Sequence, residues 1–422
     1  MLHLMGRPPA PSLDALAVAA GGPRLAEIGR VFLRLGLTSF GGPVAHLGYF
    51  RSEFVERRRW LTDAAYAELV ALCQFLPGPT SSQVGLAVGL QRGGWLGALV
   101  AWACFTLPSA IVLVLLALGL TQLDLRQSAA AGALHGLKLA AVAVVAHAVW
   151  GMARTLCPDG PRRALALGVT VLALVWTDAT AQVALIAAAA LLGGLAQESV
   201  FASPTPAASA AQPARHPGRL RSAGLWLLLF AALLIGLPVL AQVSGNAVAE
   251  LLAVFYRAGA LVFGGGHVVL PLLQAEVVPR GWLPLEHFLA GYGAAQAVPG
   301  PLFTFAAFVG AARADLPHGW SGGALALVAI FLPGFLLLFA ALPVWARLRH
   351  LARARRVLAA VNAAVVGLLL ATWLGLLRPS IGSVADAAIA LLAALALWHG
   401  RVPAWAVALA CALAGAAVAA WG

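Results

Sequence analysis

Two Pro-Gly-Pro triplets, Pro77-Gly78-Pro79 and Pro299-Gly300-Pro301, interrupt apolar stretches of the chain, and three hydroxyls, Thr80, Ser81 and Ser82, follow the first. Proline removes a backbone donor and glycine admits left-handed angles, so each triplet stops one helix and can start another. A helix starting after Pro79 directs free amides near Ser81 to Gln83 at the break, with roughly half a positive charge from its dipole. Flanked by hydroxyl donors, that terminus suits an anion. The second triplet is followed by Leu302, Phe303 and Thr304, with fewer hydroxyls, so the two half-sites need not contribute equally. A second pair of breaks, Phe40-Gly41-Gly42-Pro43 and Phe263-Gly264-Gly265-Gly266, lets backbone approach closely. Alone, a Pro-Gly-Pro reads as a kink with capping hydroxyls and a double glycine as tight helix packing. Recurrence of both is what favours the anion site.

The charges nearby point the same way. Arg34 and Arg257 each stand six residues before a double-glycine break, and Lys138, the one lysine of the chain, aligns with Asn362 in the other copy. An ionised side chain at membrane depth costs about 2.5 to 3.5 kcal/mol, so it faces a partner or a cavity, or else snorkels to the interface. Glu53 and Glu276 read as salt-bridge partners of the arginines before they read as proton carriers. His46, His267, His135 and His147 are candidates for proton coupling because a free imidazole titrates near neutrality, against the commoner role of a merely hydrogen-bonded histidine. No HExxH, nucleotide loop or clustered acidic metal site is present, so neither an enzyme nor a bound cofactor is expected.

The elements that carry these residues belong to a membrane. The chain is 62% hydrophobic and 10% charged over 422 residues, with repeated apolar stretches of the length that spans a bilayer. Its net charge of +12 fits basic cytoplasmic loops better than nucleic-acid binding. Cys73, Cys104, Cys157 and Cys411 lie apart in apolar segments and read as core residues. Residues 1–24, broken by Pro8, Pro9 and Pro11, read as an uncleaved tail.

The chain is also built twice. Val31-Phe32-Leu33-Arg34 returns as Val254-Phe255-Tyr256-Arg257, Glu53 as Glu276, Trp60-Leu61 as Trp282-Leu283, Gln74 as Gln296, and Gly94-Trp95 as Gly319-Trp320. Such duplication is common among secondary transporters, whose substrate sits between related halves. The division is a repeat at 25–197, a basic, Pro-rich linker at 198–222, a connecting helix at 223–245 and a second repeat at 246–422.

Arginine clusters at Arg57-Arg58-Arg59 and Arg162-Arg163 in the first half, but at the non-equivalent Arg347 to Arg356 in the second, so the halves face opposite ways with the N-terminus cytoplasmic. Continuous crossings are expected near 94–122, 129–154, 163–178, 179–197, 223–243, 318–345, 356–377, 383–399 and 403–421. Interrupted segments near 25–50, 63–91, 248–274 and 286–312 are expected to dip in and return. The fold class is thus an all-α integral membrane protein of two inverted-topology repeats with broken, re-entrant hairpins.

The stretches FGGPVAHLGYF (40–50), QFLPGPTSSQVGLAVG (74–89), GLKLAAVAVV (136–145), FGGGHVVLPLL (263–273), QAVPGPLFTFAAFVGA (296–311) and VNAAVVGLLL (361–370) closely resemble the chromate ion transporter family in its long, two-domain form. The resemblance covers about residues 25–422. It implies export of chromate across the bacterial inner membrane, conferring resistance, with sulfate as an analogue that competes. Export of a dianion can run on the membrane potential alone, since each charge is worth roughly 2.3 kcal/mol per 100 mV. Protons and a second copy of the chain are further candidate partners. The alternatives are a transporter of sulfate or another oxyanion and, in a different class, a lipid-phosphate flippase or membrane enzyme.

Overall fold

Apolar stretches become helices wherever prolines and glycines leave them whole. The computed structural model describes residues 22–122, 128–197, 200–201, 217–263, 266–345, 351–400 and 402–421. Helix α1 spans Gly22–Thr38, α2 Gly42–Arg51 with a π-helical extension Ser52–Arg57, α3 Asp63–Phe75, and α4 Thr80–Gln122. Three more helices complete the first half: α5 Ser128–Leu156, α6 Gly160–Val175 and α7 Ala179–Leu195. Helix α8, Pro217–Ser244, joins the halves and starts within the segment expected as linker, most of which lies outside the described residues, as does most of the tail.

The second half repeats the order. It runs α9 Ala247–Leu261, α10 Val269–Val277, α11 Leu285–Ala297, α12 Phe305–Ala312, α13 Gly319–Ala341, α14 Ala352–Ser380, α15 Val384–Trp398 and α16 Ala404–Trp421. Short 3-10 turns, Gly266–Val268 and Leu302–Thr304, precede α10 and α12. Among the described residues, five helices are long and apolar enough to cross a bilayer. The protein is an all-α, multi-pass membrane protein; no strand occurs among its described residues.

Ion pairs fix how the interrupted segments run. Arg58 holds Glu27 near the start of α1 at 2.5 Å, while Arg34 near its end holds Glu53, so α2 returns antiparallel beside α1. In the second half Arg280 holds Glu250 at 3.2 Å and Arg257 holds Glu276, giving α9 and α10 the same arrangement.

Helix α4 is also divided. Gly93 and Gly94 leave helical geometry, and the parts on either side approach so closely that a Cβ at Gly89 would lie 2.4 Å from the Gly97 carbonyl. Arg92 at this bend stacks over Trp60, which precedes α3, so α3 and the first part of α4 start and finish at one end. The counterpart is Arg313, after α12, 4.0 Å above Trp282.

The halves interlock. Helix α5 packs along α16, with Gly136 against the Cys411 backbone, and α14 packs along α6 and α7. Small residues let these backbones meet, because between helices in lipid close contact replaces the hydrophobic drive available in water. Helix α8 lies against α9 and α13 with none of its apolar window buried, as a lipid-facing helix should. The four cysteines are free thiols.

Candidate functional site

The breaks of each half reach across to the other. The Gly78 amide donates to the Val262 carbonyl at 2.7 Å, and the Gly300 amide donates to the Ser39 carbonyl at 2.9 Å. Val262 directly precedes the second Phe-Gly-Gly and Ser39 the first, so each proline triplet is tied to the opposite half's double-glycine break. Gly264 and Gly265 themselves lie outside the described residues.

Glycine is required at both triplets. Gly78 and Gly300 have φ of +117° and +110°, a left-handed region that costs other residues about 1 to 2 kcal/mol. Space is short as well, since a Cβ at Gly78 would lie 2.9 Å from Gly334 Cα and one at Gly300 2.8 Å from Ser109 Oγ. Proline explains the rest: Pro77 and Pro79 flank a gap between α3 and α4, and Pro299 and Pro301 a gap between α11 and the 3-10 turn before α12.

Four helix starts therefore gather here, those of α2, α4, α10 and α12. The two 3-10 turns lie against each other, and a Cβ at Gly42 would stand 3.9 Å from His267 Nε2. Gly41, at φ +96°, caps α2 through no side chain, which leaves that helix's first amides without an intrahelical partner.

The side chains around the breaks are buried and polar mainly on the first-half side. His46 Nε2 lies 3.2 Å from the Ser39 carbonyl, which only accepts, so Nε2 carries a proton. Its other nitrogen, 3.3 Å from Ser81 Oγ, accepts from that hydroxyl when the ring is neutral. Gln83 donates from Nε2 to the Pro77 and Gly334 carbonyls, both at 2.9 Å, tying the first triplet to α13. Ser39 Oγ, Ser82 Oγ, Gln83 Oε1 and Thr106 Oγ1 are buried with no protein partner. A buried polar atom left unpaired costs about 1 to 3 kcal/mol, so such a group points to water or a ligand.

The second-half equivalents differ. Thr304 returns its hydroxyl to the Pro301 carbonyl at 2.8 Å, and Val262, Phe305 and Phe331 stand where the first half has Ser39, Gln83 and Thr106. His267 pairs through Nδ1 with the Tyr292 hydroxyl at 2.9 Å. Thr80 opens α4 half-buried.

The flanking charges are engaged elsewhere. Glu53 is 5% exposed and meets Arg34, Arg58 at 2.6 Å and Arg57 at 3.5 Å; Glu276 meets Arg257 and, at 2.5 Å, Arg280. Lys138 donates to the Pro379 carbonyl at 2.6 Å and lies 4.0 Å from Glu286. Those partners belong to the end of α14 and the start of α11, not to the breaks. Asn362, its aligned residue, is buried in α14 with Oδ1 unpaired.

Sequence reasoning missed several of these residues. Glu27 and Arg58 recur as Glu250 and Arg280 at the same spacing as the other repeats, a signal that was there to read. Ser39 and Thr106 carried none, since their equivalents are apolar.

The sequence profile of the chromate transporter family matches residues 26–194 and again 249–416. The chain belongs to the chromate transporter family. Family membership thus covers both halves and most of the chain, and the family is one of transporters rather than enzymes. Among its relatives are a chromate transport protein of Pseudomonas aeruginosa, 29% identical over 91% of this chain and 90% of the relative, and one of Cupriavidus metallidurans, 28% identical over 87% and 86%. A probable chromate transport protein of Synechococcus elongatus is 29% identical over 74% of each chain. No solved structure matches the chain.

Proposed function

We propose that the protein exports chromate from the cytoplasm, binding the dianion where the four helix starts gather. The observation that carries this is the reciprocal pair of hydrogen bonds, Gly78 to Val262 and Gly300 to Ser39, which ties each proline triplet to the opposite half's double-glycine break. Each helix start contributes roughly half a positive charge, so four together supply about two, the charge that chromate needs balanced. Hydroxyls of Ser39, Ser82 and Thr106, without protein partners, offer donors to its oxygens. Arg34 and Arg257 act at one remove, holding the hairpins through Glu53 and Glu276.

The halves are inverted in this reading. Each hairpin starts and ends at one face, and the second part of α4 with α5, α6, α7 and α8 makes five crossings, an odd number, before α9 begins. The clusters around Arg57, Arg162 and Arg353 then share the cytoplasmic face of the inner membrane. Outward movement of a dianion gains about 4.6 kcal/mol per 100 mV of interior-negative potential, enough to drive export without protons. His46, which accepts the Ser81 hydroxyl's hydrogen bond only while neutral, is the group through which proton coupling would act.

Flux of labelled chromate in proteoliposomes tests the proposal. Potential-driven movement of chromate, competed by sulfate, is expected. Movement of sulfate with none of chromate would replace it by the second reading, a sulfate transporter.

A further inference from the structure

A groove of about 480 Å³ runs between α7 and α14, away from the breaks, lined by Ala190, Leu191, Gly194 and Leu195 on one side and Arg353 and Val357 on the other. We propose that it binds an anionic phospholipid, with an acyl chain along α7 and the headgroup phosphate on Arg353. Leu191 and Leu195 are exposed, so the groove opens toward lipid. No water is available at that depth to fill an apolar trough, whereas acyl chains are everywhere around it. The groove flanks a fixed crossing, because Gly193 sits so close to α14 that a Cβ would lie 2.7 Å from the Arg356 carbonyl.

The charge at its mouth selects the headgroup. Arg353, which lines the groove, is exposed and has no carboxylate partner among the described residues. The first turn of α14 has no acidic residue and its N-cap no side-chain hydrogen bond. Cations at a helix N-terminus act against the dipole, and a phosphate relieves both. Basic pockets between helices at the cytoplasmic leaflet hold anionic headgroups for this reason.

The corresponding groove between α5, α15 and α16, about 350 Å³, makes the contrast. Its polar residues, His135 and Asp386, pair with each other at 2.7 Å, so it offers a carboxylate and no unpaired cation. A phosphate is unwelcome there.

Lipid retention by the full chain, purified in mild detergent and offered equal phosphatidylglycerol and phosphatidylcholine, is read by native mass spectrometry. The wild type is expected to keep one phosphatidylglycerol with about fivefold preference, the effect of one arginine near the interface. Arg353→Ala is expected to abolish the preference and Arg353→Lys to keep most of it. Gly194→Leu, whose Cβ meets Arg353 Nε and Val357 Cγ2 at 3.6 Å and Arg353 Nη2 at 3.8 Å, fills the groove and is expected to lower retention of both lipids. Equal retention of the two lipids by the wild type, retention of neither, or unchanged preference in Arg353→Ala overturns the proposal. Because no flux is measured, the outcome is independent of the chromate reading.

Discussion

Ser82 and Thr304 occupy equivalent places, yet one hydroxyl has no protein partner and the other is bonded to the Pro301 carbonyl. Their substitutions should therefore separate binding from folding. Ser82→Ala removes an unpaired group, so thermal stability in detergent should hold while the KM for chromate rises about tenfold, the worth of one hydrogen bond to a charged ligand. Thr304→Val should instead lower stability by about 1 kcal/mol and leave KM nearly unchanged. Gly78→Ala combines strain at φ +117° with a 2.9 Å contact on Gly334, and should reduce chromate flux more than tenfold in proteoliposomes. A Gly78→Ala protein with wild-type flux would show that the triplet's close approach is dispensable.

At the scale of elements, each hairpin is clasped by the same four charges: Glu27, Arg58, Glu53 and Arg34 in one half, Glu250, Arg280, Glu276 and Arg257 in the other. The carboxylates at the centre are the buried members. Glu53→Gln takes the carboxylate from Arg34 and Arg57 and leaves Arg58 with Glu27 alone, whereas Arg34→Gln leaves Glu53 with Arg57 and Arg58. Glu53→Gln ends three ion pairs at once and Arg34→Gln one, so Glu53→Gln should depress the melting temperature clearly more than Arg34→Gln. Equal losses would mean that Glu53 is hydrated and the clasp weak. The hairpins were legible in the sequence through Pro77, Gly78, Pro79 and their second copies, because helix breakers act locally. The clasp was legible only in part, since pairing Arg58 with Glu27 needs the return of α2 beside α1, which no local rule dictates.

For the molecule as a whole, the proposed inversion and the charge of the proposed substrate make separate predictions. Single cysteines introduced beside Arg59 and beside Gly281, in a cysteine-free background, should label from opposite faces of the membrane with an impermeant thiol reagent. Labelling from one face would reject inversion. Chromate export from vesicles should rise with an imposed interior-negative potential and collapse when it is dissipated; flux indifferent to potential would require another driving force.

Composition, duplication and the placement of proline and glycine determined by themselves that this is a helical membrane protein of two related halves with interrupted segments. Those properties are set residue by residue, by apolar length and by backbone chemistry. The tertiary structure alone decided that Gly78 meets Val262 and Gly300 meets Ser39, that Lys138 reaches the ends of α14 and α11, and that Ser39 and Thr106 are buried without partners. Contacts between segments 148 to 261 residues apart depend on how the helices pack. A repeat in sequence announces that two breaks are alike, but only packing brings them to the same place.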